Sequence, residues 1–303
     1  MFFSDNAYSV ESTSMPATVP SLLSEAFAAA VARVGQFRGQ TVVVKLGGSA
    51  MEDAAASQAC LISIATLYHL GVHIVLVHGG GKPIDRAMAE AGLVPKKVAG
   101  RRYTDAATLA IVVRVLKEEI NSVIVAELRN LGCNAISQNN SLYGERLQLT
   151  GPDQQPIDLG AVGRVTHVER LEISSQTGQN RLPVIPSLAY APDGSWLNIN
   201  ADTAACAVAV ELRAKKTIFL TDTPGVLRDR HNPQSLLPKL TERECRELIA
   251  AGTIEGGMVP KVEACFEALS DGTEAAVIVD GRVPYSLLDV FLGDTFTGTV
   301  ITR

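Results

Sequence analysis

A chain of 303 residues that is 47% apolar carries enough apolar material for one or two domains with a core of their own, and no disulfide staple is needed. Its formal net charge is −5 and no run of Lys or Arg occurs, which argues against nucleic acid or an anionic membrane as a partner. Cys60, Cys133, Cys206, Cys245 and Cys265 are widely spaced, odd in number and lack a CxxC pair, so neither a disulfide framework nor a zinc site is expected and a reducing cytoplasm fits.

Residues 1–20 are polar, without periodicity, and read as a disordered lead. The first basic residue is Arg33, so the basic features of a signal or transit peptide are not expected. From Ser21 the apolar residues Leu23, Phe27, Val31 and Val34 recur at helical spacing, with Gly35 as a stop. This helix, 21–35, lies outside the units that follow.

Those units alternate. Thr41 to Leu46 and Val72 to Val77 read as strands, with helices over Ser57 to Leu70 and Pro83 to Ala91, then a long helix from Ala106 to Leu131 and a short strand near Ala135. Between Gly144 and Val168 the alternation of polar and apolar residues predicts β-hairpins. Strands at Leu182 to Ile185, Thr217 to Thr221, Ala276 to Val279 and Thr299 to Thr302 follow, interleaved with helices at Thr203 to Leu212, Glu242 to Ala251, Lys261 to Leu269 and Pro284 to Leu292. The pattern predicts an α/β fold: an open, mainly parallel sheet sandwiched between helices, with a β-hairpin excursion and an extra N-terminal helix.

In such sheets ligands bind at the carboxyl ends of strands, where four turns stand out. Lys45 ends a buried strand directly before Gly47 and Gly48, whose amides can approach a phosphate; the plain alternative is a lysine snorkelling to solvent. Gly79, Gly80 and Gly81 lead through Pro83 into a helix N-terminus, an anion site that matches neither GxGxxG nor GxxxxGK[ST]. Asp222-Thr223-Pro224-Gly225-Val226-Leu227 follows another buried strand. Gly257 and Met258 precede Lys261 at a helix start, where a cation opposes the helix dipole and an anionic ligand would offset the cost. Two further segments are less telling alone. Arg102 in Gly100-Arg101-Arg102-Tyr103-Thr104-Asp105 suits a carboxylate but also suits a solvated surface. In Leu197-Asn198-Ile199-Asn200-Ala201-Asp202, Asp202 stands where a helix N-cap is expected, which explains it without function.

Taken in order, VVVKLGGS, VHGGGKPI, GRRYTD, LNINADTAA, FLTDTPGVL and GGMVPKVEA resemble the amino acid kinase family, over about Arg38 to Val290, and within it the branch that phosphorylates N-acetyl-L-glutamate. The resemblance implies ATP with Mg2+, the metal held mainly through phosphates and water rather than by a protein site. It makes Lys45 and Lys261 the cations on the transferring phosphoryl group, with Asp202 orienting both. Gly80, Gly81, Arg102 and Asn198 would take N-acetyl-L-glutamate; Gly47, Gly48, Asp222 to Leu227, Gly257 and Met258 would take ATP. It divides the chain into a substrate lobe, 36–213, and a nucleotide lobe, 214–303. It also implies a homo-oligomer, a dimer at least with a hexamer built by the 21–35 helix, and a PII-type regulatory protein as candidate partner. Lys82 and the Gln138-Asn139-Asn140-Ser141 loop depart from the family pattern, as do Thr295 and Phe296 in the C-terminal segment tied to arginine feedback. Kinases of aminoadipate, glutamate or aspartate, and a catalytically silent sensor of the same fold, are the alternatives.

Overall fold

Strands that are apolar at consecutive positions, such as Val42-Val43-Val44, are stable only with both faces covered. The computed structural model describes residues 22–151, 154–270, 273–293 and 296–303, and it covers them in that way. Helix α1 (Leu22–Gly35) leads to β1 (Thr41–Leu46), α2 (Ala54–His69), β2 (His73–His78) and α3 (Gly81–Glu90). A hairpin of β3 (Lys97–Val98) and β4 (Arg101–Arg102) precedes α4 (Ala106–Arg114), a π-helical stretch (Val115–Asn121) and α5 (Ser122–Asn130). Then come β5 (Ala135–Ser137), β6 (Leu142–Arg146), β7 (Leu149–Thr150), β8 (Pro156–Ile157), β9 (Val162–Val168), α6 (Arg170–Gly178), β10 (Leu182–Pro186), β11 (Leu188–Tyr190) and β12 (Trp196–Ile199). The rest is α7 (Ala201–Leu212), β13 (Lys216–Thr221), β14 (Lys239–Thr241), α8 (Glu242–Ala250), α9 (Met258–Leu269), β15 (Ala275–Asp280), α10 (Ser286–Leu292) and β16 (Gly298–Thr302).

Eight strands form one sheet in the order β14-β16-β15-β13-β1-β2-β10-β5. From β15 to β5 neighbours run parallel; β16 is antiparallel to β15 and carries β14 parallel to itself. The pleat sends Val43, Val77, Phe219 and Ile278 into a core with α6, α7, α8 and α9. Val42, Val44, Ile74, Ile218 and Leu220 enter the opposite core with α2, α5 and α10. Each fully buried aliphatic or aromatic side chain contributes about 1.5–3 kcal/mol. The excursion predicted as hairpins is more than that: β6 and β9 pair with each other and with β11 and β12 in a closed four-stranded barrel.

The N-terminal helix, Leu22–Gly35, is anchored at its last turn by buried Val34 and by Arg33 donating to the Leu292 carbonyl. Leu22, Leu23 and Phe27 remain 71–84% exposed. The expected disorder of residues 1–20 concerns residues outside those described, and so does the departure at Thr295.

The long helix expected from Ala106 to Leu131 widens at Val115–Asn121 into π-helix, which carries fully buried Asn121 toward the end of β2. Asn121 Nδ2 donates to His78 Nε2 and to the Val184 carbonyl, both at 3.0 Å, and Asn121 Oδ1 accepts from Ser137 Oγ at 2.5 Å. His78 Nδ1 donates to the Gly79 carbonyl at 3.2 Å, so the ring is held neutral with its proton on Nδ1. Burial pushes the imidazole down from 6.5 to about 4, against a smaller upward pull from the Gly79 hydrogen bond. An unfolded chain takes up this proton near 6.5 while the folded one resists until about 4, so the stability His78 contributes is complete above 6.5 and is lost as pH falls toward 4. The denaturant midpoint is therefore expected to fall with pH across that window, and to fall less steeply in a His78→Leu variant. Equal slopes for the two chains would assign the dependence to other groups.

Candidate active site

Because β1, β2, β13 and β15 are parallel, the turns at their carboxyl ends share one edge of the sheet. Gly47 N donates to the Leu220 carbonyl at 3.2 Å and Gly79 N to the Leu46 carbonyl at 3.3 Å, stitching the glycine turns to neighbouring strands. A Cβ placed on Gly48 would stand 3.5 Å from Gly81 N, so the two turns nearly touch. On Gly80 a Cβ would lie 2.6 Å from Ile120 Cδ1 and 2.8 Å from Leu116 Cδ2, both on the π-helical stretch. A side chain there would have to displace the ends of both. Gly80 is also the N-cap of α3 and offers no side-chain cap, which leaves the first amides of that helix free for an anion.

Lys45 sits one residue before the end of β1 with its side chain on the α7 face, 11% exposed. Its Nζ lies 2.8 Å from Asp202 Oδ1, an ion pair whose alignment falls short of a hydrogen bond and leaves Oδ1 without a hydrogen-bond donor. Asp202 is not the helix cap that its position suggested. Asn200 is: its side chain accepts from the backbone N of Asp202 at 2.8 Å and of Thr203 at 3.1 Å. With the cap provided two residues earlier, the Asp202 carboxylate is free to face Lys45.

Lys261, in the first turn of α9, stands 3.7 Å from Asp222 Oδ1. Among the described residues Asp202 pairs with Lys45 alone. The physical reason is position, since Lys261 projects into the cavity walled by the loop after β13, where Asp222 is the local carboxylate.

The site residues fall into two cavities. A cleft of about 350 Å³ is lined by Lys45, Gly47, Gly48, Gly80, Gly81, Arg102, Asn198 and Asp202. A second cavity, of about 690 Å³, is lined by Asp222, Thr223, Pro224, Gly225, Val226, Leu227, Gly257, Met258 and Lys261. Gly225 has φ +137 and a Cβ there would lie 2.5 Å from Thr299 Oγ1, the same hydroxyl that accepts from Val226 N at 2.8 Å. The turn is thereby fastened to β16. Arg102 is braced by Asp85 and donates to the Gly81 carbonyl at 3.0 Å, which ties the β3-β4 hairpin to the start of α3. Asn198 Nδ2 donates to Thr104 Oγ1 at 3.1 Å.

Lys97, Arg101 and Arg164 also line the smaller cleft, and sequence reasoning did not pick them out. The doublet Arg101-Arg102 was the available signal, but only a hairpin turning at Ala99 (φ 48) and Gly100 (φ 75) brings Lys97 back beside it. With Lys45 and Arg102 the cleft wall holds five cations against the carboxylate of Asp202, in a chain whose net charge is −5. Such a wall suits a ligand carrying several negative charges. Among the described residues no group of three or more His, Cys, Asp or Glu converges to cage a metal.

A model of the amino acid kinase family matches residues 40–280, and the chain belongs to that family. The acetylglutamate kinase of Symbiobacterium thermophilum is 37% identical over 281 residues, covering 91% of this chain and 96% of that one. Acetylglutamate kinase of Synechococcus elongatus is 41% identical over 266 residues, covering 88% and 87%. Among solved structures, N-acetylglutamate synthase from Neisseria gonorrhoeae complexed with coenzyme A and N-acetyl-glutamate shares the fold, with a TM-score of 0.81 at 24% identity. That likeness covers 93% of this chain and 64% of the synthase chain.

The capping assignment is open to test. Asn200→Ala is expected to cost about 1 kcal/mol in chemical denaturation, the usual value of an N-cap. An unchanged midpoint would place the cap elsewhere.

Proposed function

We propose that this chain transfers the γ-phosphoryl group of ATP to the side-chain carboxylate of N-acetyl-L-glutamate, giving an acyl phosphate in arginine biosynthesis. The observation that carries this reading is the meeting of Lys45, Asp202 and the amides of Gly48 and Gly81 in one cationic cleft that also holds Arg102 and Asn198. Relatives named acetylglutamate kinase, matched over most of the chain, support the choice of acceptor.

The chemistry asks little of the protein in proton transfer. A γ-carboxylate with an ordinary pKa near ~4.3 is already an anionic nucleophile at neutral pH, so no general base is required. The neutral, buried His78 is accordingly a structural group. What the reaction requires is relief of repulsion between two anions and stabilisation of charge on the equatorial phosphoryl oxygens. In this reading Lys45 and Lys261 meet those oxygens, the glycine amides cradle them, and Arg102 with Asn198 holds the acyl-amino acid by its α-carboxylate and amide. The loop from Asp222 to Leu227, with Gly257 and Met258, takes the nucleotide, so residues 36–213 serve the acceptor and 214–303 the nucleotide. Mg2+ bound with ATP would be held mainly through phosphates and water, where it would neutralise phosphate charge.

The exposed stripe Leu22, Leu23 and Phe27 on α1 supports a homo-oligomer, a dimer at least, with the helix joining dimers into a hexamer. A PII-type regulator is the partner this assembly would present a surface to.

A panel of carboxylates assayed with Mg-ATP and hydroxylamine trapping tests the function. N-acetyl-L-glutamate is expected to give the highest kcat/KM, and Lys45→Met or Lys261→Met to lower kcat on the order of 10²-fold. Preference for glutamate, aspartate or aminoadipate would overturn the substrate, and no ADP release with any acceptor would favour a silent sensor. For the helix, light scattering of the full chain and of a chain starting at Gly39 should give a smaller mass for the latter; identical masses would remove α1 from assembly.

A further inference from the structure

Past the end of β2 the backbone carbonyls are pinned one after another. The His78 carbonyl accepts from Ser187 N at 3.0 Å, and the Gly80 carbonyl accepts from Ile84 N at 2.9 Å, where α3 begins. Between them the Gly79 carbonyl is held by a side chain, since His78 Nδ1 donates to it at 3.2 Å. A trans peptide is planar, with its C=O and N–H pointing to opposite sides, and no cis bond occurs among the described residues. Turning the Gly79 carbonyl back onto the fully buried His78 ring therefore turns the Gly80 N–H away from that ring. Gly79, Gly80 and Gly81 line the cleft that holds Lys45 and Asp202, and the Gly80 amide has no backbone acceptor among the described residues.

The polarity of the holding bond is dictated from further inside. A carbonyl only accepts, so the Val184 oxygen requires the amide nitrogen of Asn121, which it meets at 3.0 Å. The second hydrogen of that nitrogen faces His78 Nε2 at 3.0 Å, while Asn121 Oδ1 takes the Ser137 hydroxyl at 2.5 Å. Nε2 is thus the acceptor, and the ring proton stands on Nδ1, facing the Gly79 carbonyl. Reversing the Asn121 amide would set oxygen against oxygen at Val184. Asn121 is the last residue of the π-helical stretch, and the same stretch backs the glycine turn with Leu116 and Ile120. Nothing in the phosphoryl chemistry described so far uses this buried relay.

We propose that His78 and Asn121 are positioning residues for phosphoryl transfer: they fix the Gly79-Gly80 peptide so that the Gly80 N–H faces the transferring phosphoryl group. Neither side chain touches a reactant or moves a proton. The inference rests on the reading that the glycine amides cradle that group. A peptide released from His78 is free to rotate and present its carbonyl to the phosphoryl oxygens, which replaces a donor by a repulsive dipole.

The test compares replacements of His78 in the full chain, reading kcat, KM for each substrate and Tm. His78→Leu removes the donor to Gly79 and is expected to lower kcat about 10- to 10²-fold with both KM values within about twofold, the pattern of a donor that acts in the transition state. His78→Asn sets an amide N–H close to where Nδ1 stands and should bring kcat to within about threefold of the unaltered chain; His78→Gln sets its amide nearer Nε2 and should not. Asn121→Leu should also lower kcat, and should add nothing in the His78→Leu background, because it acts through the ring. An unchanged kcat for His78→Leu, equal losses in the Asn and Gln variants, or losses that merely follow a lowered Tm would overturn the proposal. Should His78→Leu not fold, the Asn and Gln variants, which keep a polar side chain in the buried position, carry the same decision. If the unaltered chain phosphorylates no acceptor, the reading of the site fails and this inference with it. If it turns over and the His78 variants do not follow the stated order, the inference alone fails.

Discussion

Lys45 is the one lysine or arginine among the described residues that the fold buries, and most of the site is a consequence of accommodating it. The lysine is level with Val77 and Phe219 in the middle of the parallel sheet, where an uncompensated ammonium would be costly. Compensation comes from Asp202 at the start of α7, and α7 can bring that carboxylate forward only because Asn200 caps the helix. Gly79 must then be small, since a Cβ there would lie 3.0 Å from Ala201 Cβ. One buried charge thereby ties together the ends of β1 and β2 and the N-terminus of α7.

The elements that were legible in the sequence are those whose environment is uniform. Both faces of β1, β2, β13 and β15 are buried, so they appear as unbroken apolar runs, and the turns after them are marked by glycine. Less legible were β11, β12 and the β3-β4 hairpin, two to four residues each, because a short strand carries too few positions for its period to show. The barrel that β11 and β12 close with β6 and β9 depends on pairing between distant segments, which local pattern does not encode.

The site divides in the same manner. Glycines in crowded turns, Gly80 and Gly225, and a lysine at the end of an apolar run are visible as departures from what their elements otherwise require. Asp202 was hidden by a sufficient alternative, since an aspartate near a helix start is commonly a cap, and only the hydrogen bonds of Asn200 remove that alternative. Lys97 and Arg164 had no local signal at all. Each is an ordinary charged residue on a strand, and what makes it a cleft residue is where the hairpin and the barrel place that strand.

The resting arrangement of the two lysines follows from the same electrostatics. Two ammonium groups about 4 Å apart repel by roughly 4 kcal/mol at an effective dielectric constant near 20, so they do not gather without an anion between them. In the structure each rests on its own carboxylate, Lys45 on Asp202 and Lys261 on Asp222, at the walls of separate cavities. A phosphoryl group bearing several negative oxygens reverses the balance, because one anion can then satisfy both cations at once. Assembly of the charge-stabilising pair would thus be driven by the nucleotide itself, and the cations would converge only when there is negative charge to stabilise. A preformed pair would have to keep two ammoniums together in the empty site at the expense of fold stability. Separate resting carboxylates remove that burden.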